Sequence, residues 1–388
     1  MNKMKRMVIL LSGTLLCICA LVVGCSKEKK QSDGRAFHPV KEVDFDTSMG
    51  KGSSDFKLAM ENPEDIQRYE IFKSMYENNL PSNVPYSEEA KIPKILHQIW
   101  VGPKTPPSLF FAFREKWLKL HPDWEYKLWT EASLAELNLE LQDIIDDSPN
   151  YAEKSDIIRS ELLERFGGVY IDVDMEPHKP LTELNHKYDF YAGMEYPHKI
   201  ATTGNSVWAG ISIIACKAHH PIMKRWKEYI RARWEMVNQT YSSPVERVIN
   251  HTYFPYTFAV LDKYKEENLR NIFFPATYFY PLTAANASKQ RAPIRNYREK
   301  LYALLETLHL KKKSRFSRRL PETIAVHYWG NSWIPTPSEQ LKEVQQQVDI
   351  LKRDFFALQK RMKGMELEQA EAKKVAPGVM QEPVALNS

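Results

Sequence analysis

The residues with the clearest chemical potential are Asp172 and Asp174, two carboxylates at i and i+2 after the apolar run Val169-Tyr170-Ile171. On a regular strand, side chains two apart point to the same side, so both can face one cation. Where strand gives way to loop, Asp174 can coordinate directly, while Asp172 acts through water or a ribose hydroxyl. Oxygen donors suit Mg²⁺ or Mn²⁺, the ions that carry diphosphates. An Asp-x-Asp alone is common by chance. Here it follows a Gly167-Gly168 turn and a polar helix carrying Ser155-Asp156-Ile157-Ile158-Arg159, which makes the pattern much more specific. Asp156 and Arg159, at i and i+3, share a helix face. They are either site residues or a surface ion pair worth a few tenths of a kcal/mol.

The elements that must position these groups alternate. Ile92–Trp100 reads as a buried first strand, followed by helix 108–120, strand 126–129 and helix 131–141. Helix 152–166, stopped by Gly167-Gly168, leads into strand 169–172. Strands near 190–194 and 211–215 and a helix at 221–237 follow. This order predicts an α/β fold with a mostly parallel sheet flanked by helices.

The run from Asp156 to Asp174 resembles the sugar-binding region with a DxD motif of GT-A glycosyltransferases, of the initiating-mannosyltransferase, α-1,4-galactosyltransferase and glucosylating-toxin type. Three further segments resemble the family in the right order. They are Ile92–Trp100, the stretch His121-Pro122-Asp123-Trp124-Glu125-Tyr126-Lys127-Leu128-Trp129, and a closing loop His327-Tyr328-Trp329-Gly330-Asn331-Ser332-Trp333. The resemblance spans about residues 92–335 and implies a nucleotide-diphospho-sugar transferase fold. It implies that Trp100 stacks on the base, that Asp156 bonds a sugar hydroxyl and that Arg159 contacts sugar or diphosphate. Asp172 would hold ribose or metal-bound water, and Asp174 would ligate Mn²⁺ or Mg²⁺. His327, or the nearby Asn331 and Ser332, would complete the metal shell or touch phosphate, and Trp333 would cap the diphosphate. The chain departs from the pattern around Ile211-Ser212, where relatives often carry Asn. The implied activity is retaining transfer of a hexose from a nucleotide-diphosphate sugar to a glycan, lipid or protein hydroxyl. A rival reading is an inactive glycan-binding or adhesion lipoprotein. Another is a metal-dependent phosphoesterase, which usually needs more His and Asp ligands than cluster here.

Flanking segments suggest a partition of the chain. Residues 1–25 read as a lipoprotein signal peptide: Lys3, Lys5 and Arg6 precede an apolar stretch ending Leu21-Val22-Val23-Gly24-Cys25, with Cys25 the expected lipidation site. That implies a bacterial membrane-anchored lipoprotein with its domain outside the inner membrane; an uncleaved N-terminal anchor is the alternative. Nucleotide sugars are cytoplasmic, so an exported domain leaves the origin of its donor open. Residues 26–55 read as a flexible tether, 56–90 as a helical extension whose apolar positions include Ile66, Tyr69, Phe72 and Met75, and 91–336 as the catalytic domain. Leu341, Val344, Val348, Leu351, Phe355, Leu358, Met362 and Met365 alternate spacings of 3 and 4, a heptad seam. Residues 337–370 are therefore expected to form a coiled-coil-like helix able to join a second copy or lie on its own domain, and 371–388 a disordered tail.

Composition narrows the classes further. Hydrophobic content of 43% with 27% charged residues fits a globular protein. Cys216 is the only cysteine after the signal, which excludes an intrachain disulfide and a Cys-based zinc site in the mature body. The net charge of +5 is uneven: residues 289–319 hold eleven Lys or Arg against two Glu. This segment suits an anionic partner or is a solvated loop, and no nucleic-acid partner is expected.

Overall fold

The computed structural model describes residues 39–198, 204–240, 244–266, 268–283 and 320–330, together with a few helical residues between 348 and 361. The chain divides into two units, 1–330 and 331–388.

The first unit opens with three short helices, α1 Phe45–Ser48, α2 Ser54–Ala59 and α3 Pro63–Glu77. The helix expected from residue 56 is broken here because Asn62 accepts the Glu64 N–H and Pro63 starts a new helix. Tyr69, Phe72 and Met75 turn inward, whereas Ile66 stays exposed. Residues 39–55, expected within the tether, pack on the body instead. Phe45 and Met49 are buried, the Val40 N–H donates to Glu183 Oε2 at 2.8 Å, and the Tyr278 hydroxyl donates to the Lys41 carbonyl.

Then come β1 Ile95–Ile99, α4 Ser108–Leu120, β2 Glu125–Trp129, α5 Glu131–Leu134, α6 Gln142–Asp147 and α7 Tyr151–Phe166. The single helix expected over 131–141 ends at Leu134. A Thr130/Ser133 capping box starts it, the Leu137 N–H turns back to Leu134 O at 2.9 Å, and the Leu141 N–H is taken by Glu161. The chain continues through β3 Gly168–Ile171, β4 Met175–Pro177, α8 Thr182–Lys187, β5 Phe190–Met194 and β6 Ala209–Cys216. It closes with α9 Pro221–Thr240, α10 Pro244–Val248, a π-helical turn Ile249–Tyr253, α11 Phe254–Lys263, β7 Asn271–Phe274 and β8 Ala325–His327.

Six strands form one sheet in the order β2-β1-β3-β6-β5-β7. The pairs β1–β2, β1–β3 and β5–β7 are parallel, and β6 runs antiparallel to both β3 and β5. The mixed α/β fold with a mostly parallel sheet is therefore as expected, with one reversed strand in its middle. Both faces are covered, which is why β3 and β5 are continuous apolar runs buried at every residue. Because only β6 is reversed, β1, β3 and β5 all end on one edge of the sheet. Open α/β sheets bind ligands at the carboxyl ends of their strands.

A second, two-stranded sheet pairs β4 with β8, placing Met175 opposite His327. His327 is thus a strand residue, where the sequence suggested a loop. In the second unit, Val348, Leu351 and Phe355 are helical and exposed. The other seam positions, the lipobox with Cys25, the basic stretch 289–319, and Asn331, Ser332 and Trp333 lie outside the described residues. Among the described residues, no helix is long and apolar enough to cross a membrane.

Candidate active site

Asp172 follows the last residue of β3 and still belongs to the sheet through its N–H, which donates to Ser212 O at 2.8 Å. The chain then turns, with Met175 N–H returning to Asp172 O at 3.2 Å. The two carboxylates converge through this turn rather than along a regular strand. Ligand atoms of Asp172, Asp174 and His327 all lie within 4.8 Å of one another. His327 Nε2 is 3.3 Å from Asp174 Oδ1 and 3.7 Å from Asp172 Oδ2. Two carboxylate oxygens and one imidazole nitrogen, clustered at the mouth of a sheet, are a donor set that fits Mn²⁺ or Mg²⁺.

The carboxylates and the imidazole also act on one another. Burial alone would lower the His327 pKa, but the Asp174 carboxylate outweighs it and holds the imidazole above its ordinary value. Burial likewise pushes Asp174 up, yet His327 and the Gly330 N–H bring it below the usual carboxylate range. Gly330 donates that N–H to Asp174 Oδ2, and a Cβ at Gly330 would sit 2.9 Å from the same oxygen.

Asp156 and Arg159 are both buried on α7, so the surface-pair alternative does not apply. Arg159 Nη2 lies 3.1 Å from Asp156 Oδ1, 3.2 Å from Asp172 Oδ1 and 2.9 Å from the Tyr170 hydroxyl, while Nη1 donates to Ile211 O at 2.5 Å. Its Nε has no partner among the described residues, leaving a buried donor in the site. Burial raises the Asp156 pKa to about 6 against the pull of Arg159. Trp100, just beyond β1, is half-buried on the same sheet edge, its indole N–H donating to Lys104 O at 2.7 Å.

Four participants went unread in the sequence. The Tyr170 hydroxyl donates to Asp172 Oδ1 at 2.7 Å, and the Arg159 guanidinium stacks 4.0 Å from its ring centroid. Tyr170 precedes Asp172 by two residues, so strand alternation could have flagged it. Ser212 Oγ lies 3.2 Å from His327 Nε2. The Tyr280 hydroxyl accepts the Ser212 N–H at 3.0 Å, and its ring meets His327 edge-on. Gly210 makes room for that phenol, since a Cβ there would lie 2.4 Å from the Tyr280 hydroxyl oxygen. Glu195, buried just after β5, is the fourth. Tyr280 and Glu195 lie far from the motif in sequence, and no local pattern marks them.

With this geometry in place, known proteins add a local resemblance. Residues 107–191 match the glycosyltransferase sugar-binding region containing a DXD motif. The resemblance to that region is confined to this stretch. The matched stretch holds Asp156, Arg159, Asp172 and Asp174, while Trp100, Glu195 and His327 come from outside it. The chain is 33% identical over 116 residues to inositol phosphoceramide mannosyltransferase 3 of Schizosaccharomyces pombe, covering 29% of this chain and 31% of that protein. It is 40% identical over 87 residues to the mannosyl phosphorylinositol ceramide synthase SUR1 of Saccharomyces cerevisiae, covering 21% and 22%. The match thus spans less than a third of either relative. Among solved structures, the galactosyltransferase LgtC with donor and acceptor sugar analogues aligns at 13% identity and a TM-score of 0.33, covering 63% of this chain and 91% of its own. At that score the superposition adds nothing to the assignment.

Proposed function

We propose that this chain is a metal-dependent retaining glycosyltransferase that moves a hexose from a nucleotide-diphosphate sugar to a glycan, lipid or protein hydroxyl. The carrying observation is the convergence of Asp172, Asp174 and His327 beside a buried Arg159, at the carboxyl edge of the sheet. The sugar-binding region containing these carboxylates supports the reading. The relatives named for mannosyl transfer to inositol phosphoceramide favour mannose as the sugar and an inositol phospholipid as acceptor.

The main barrier to such a transfer is the negative charge that develops on the departing diphosphate. A divalent ion held by Asp172, Asp174 and His327 supplies a matching positive charge when bound. Arg159 lies fixed between Asp156, Tyr170 and Asp172, so it presents its charge to the same region without reorganising. Asp156 sits behind Arg159 and receives a sugar hydroxyl. Trp100 offers a half-exposed indole for the base. Retention requires no strong general base, which agrees with a site dominated by positioning groups. Lipidation at Cys25 would hold the enzyme against a membrane, and the seam from Leu341 to Met365 would join a second copy.

The test is calorimetric titration of the full chain with GDP- and UDP-hexoses, with and without Mn²⁺, followed by assay of released nucleoside diphosphate in the presence of inositol phospholipid acceptors. Metal-dependent binding of one donor and its turnover are expected. Absence of binding to every donor in the presence of Mn²⁺ would overturn the proposal.

A further inference from the structure

The sheet edge that presents Asp172 carries a second buried acid two strands away. β3 and β5 run in the same direction on either side of β6, so Asp172 and Glu195 leave the sheet at the same edge. The register shifts between Ala192 and Met194, an irregularity of the kind that re-aims a strand end. Glu195 is 6% exposed, and its carboxylate lies 3.8 Å from His198 Nε2. Burial raises its pKa; the charges acting on it include His198, His327 and Asp172, and the Tyr253 hydroxyl acts against the rise.

Tyr253 reaches this place through unusual backbone. It ends the π-helical turn Ile249–Tyr253, whose wider winding lets three consecutive side chains serve three separate acids. His251 Nδ1 lies 2.6 Å from Glu153 Oε1, Thr252 Oγ1 lies 2.6 Å from Asp156 Oδ2, and the Tyr253 hydroxyl faces Glu195. The first two contacts are short. The third is looser: the Tyr253 hydroxyl lies close enough to lower the Glu195 pKa, yet it is buried and makes no hydrogen bond of good geometry among the described residues. A buried polar group left unpaired costs about 1–3 kcal/mol. A phenol and a carboxylic acid set side by side without a well-formed bond can both turn to one further group that donates and accepts. A sugar hydroxyl does both.

We propose that Glu195 and Tyr253 form a hydroxyl-recognition point on the β5 side of the site, determining which sugar is accepted. This rests on the transferase reading and deepens it. Asp156 and Glu195 then receive hydroxyls from two directions, and one π-turn sets both through Thr252 and Tyr253. The hydroxyl belongs either to the transferred hexose or to the acceptor, and the two sources separate experimentally.

The experiment uses the full chain with Mn²⁺ and the variants Glu195→Gln, Glu195→Asp and Tyr253→Phe, each checked for a parental melt. Calorimetry measures affinity for the free nucleoside diphosphate and for the matching nucleotide sugar, and turnover gives the acceptor KM. Free diphosphate affinity should stay within about twofold of the parent, while one sugar-bearing ligand weakens by roughly tenfold or more. Weakened nucleotide-sugar binding assigns the hydroxyl to the donor, and a raised acceptor KM alone assigns it to the acceptor. If both are unchanged in the folded variants, or if diphosphate and sugar weaken together, the pair is not a recognition point. Where Tyr253→Phe does not fold, the two Glu195 variants decide by the same measurements. A parent that binds no nucleotide sugar at all refutes the transferase reading itself, before any variant is compared.

Discussion

His327 Nε2 lies 3.3 Å from Asp174 Oδ1, joining the end of β8 to the turn after β3. The segment after β8 also holds Asp174 through its backbone: the Tyr328 N–H donates to Asp174 O at 3.1 Å, and the Gly330 N–H caps the Asp174 carboxylate. Asp174→Asn and His327→Ala should each weaken Mn²⁺-dependent nucleoside-diphosphate binding by roughly 10–100-fold. Calorimetric titration with and without Mn²⁺ measures it. An unchanged metal dependence in either variant would remove that side chain from the ligand set.

Tyr170 holds two charged neighbours at once. Its hydroxyl donates to Asp172 at 2.7 Å and accepts from Arg159 at 2.9 Å, while its ring lies under the guanidinium. Tyr170→Phe keeps the ring and removes the oxygen, so turnover should fall by about tenfold with little loss of stability. Arg159→Ala is harsher because it strands Asp156 and Asp172 together, and about 3–5 kcal/mol of stability should go with it. Denaturant melts and turnover of the two variants distinguish these cases. Equal destabilisation by both would mean that the Tyr170 hydroxyl holds the charge network together as firmly as the guanidinium does.

The motif and most of the strands were legible because local rules govern them. Asp172, Asp174, Asp156 and Arg159 share one helix–turn–strand unit, and Gly167 announces its helix end: its φ is +63° and a Cβ would lie 2.5 Å from Ala218 N. His327 was legible only through resemblance, and its strand setting was not, because β8 exists only by pairing with β4. Residues 39–55 read as tether because they are polar on average. A few well-placed groups, Phe45 and Met49 among them, nonetheless bury into the body. Helix 131–141 is overextended in the sequence reading because the Leu141 N–H leaves for Glu161, a tertiary contact that local spacing does not encode. Tyr280, Glu195 and Tyr253 reach the site through tertiary geometry, which no spacing along the chain encodes.

The helical extension before the sheet grips the loop that leads into β6. Asp65, fully buried on α3, accepts the N–H groups of Ser206 at 2.8 Å and Val207 at 3.0 Å, and pairs with Arg68 Nη2 at 3.1 Å. Arg68 in turn lies over the Trp208 ring. Beyond this loop, β6 supplies Ile211 O to Arg159 and Ser212 to His327. Asp65→Ala orphans two buried backbone donors and should cost about 3 kcal/mol. Asp65→Asn keeps an acceptor and should lose less. Chemical denaturation gives the values, and a loss under about 1 kcal/mol for Asp65→Ala would show that the loop is held by other contacts.

Stability should fall as pH drops below neutrality, and three buried histidines set the window. In each, one ring nitrogen donates and the other accepts. His97 donates to Gly167 O and accepts the Trp129 indole N–H; His121 donates to Trp117 O and accepts the Leu181 N–H; His220 donates to Asn271 Oδ1 and accepts the Ile222 N–H. Burial lowers all three from 6.5 to about 4, and protonation would turn each accepting nitrogen against a donor. Between those values the unfolded chain binds more protons than the folded one, so stability rises with pH. The contribution is complete above 6.5 and is lost as pH falls toward 4, with a ceiling of about 3 kcal/mol per histidine. Denaturant melts of the parent from pH 7.5 to 4.5 should show this slope, and His97→Gln, which can still donate and accept, should flatten it by about one proton. A parental slope left intact in His97→Gln would mean that the ring at 97 does not titrate on unfolding.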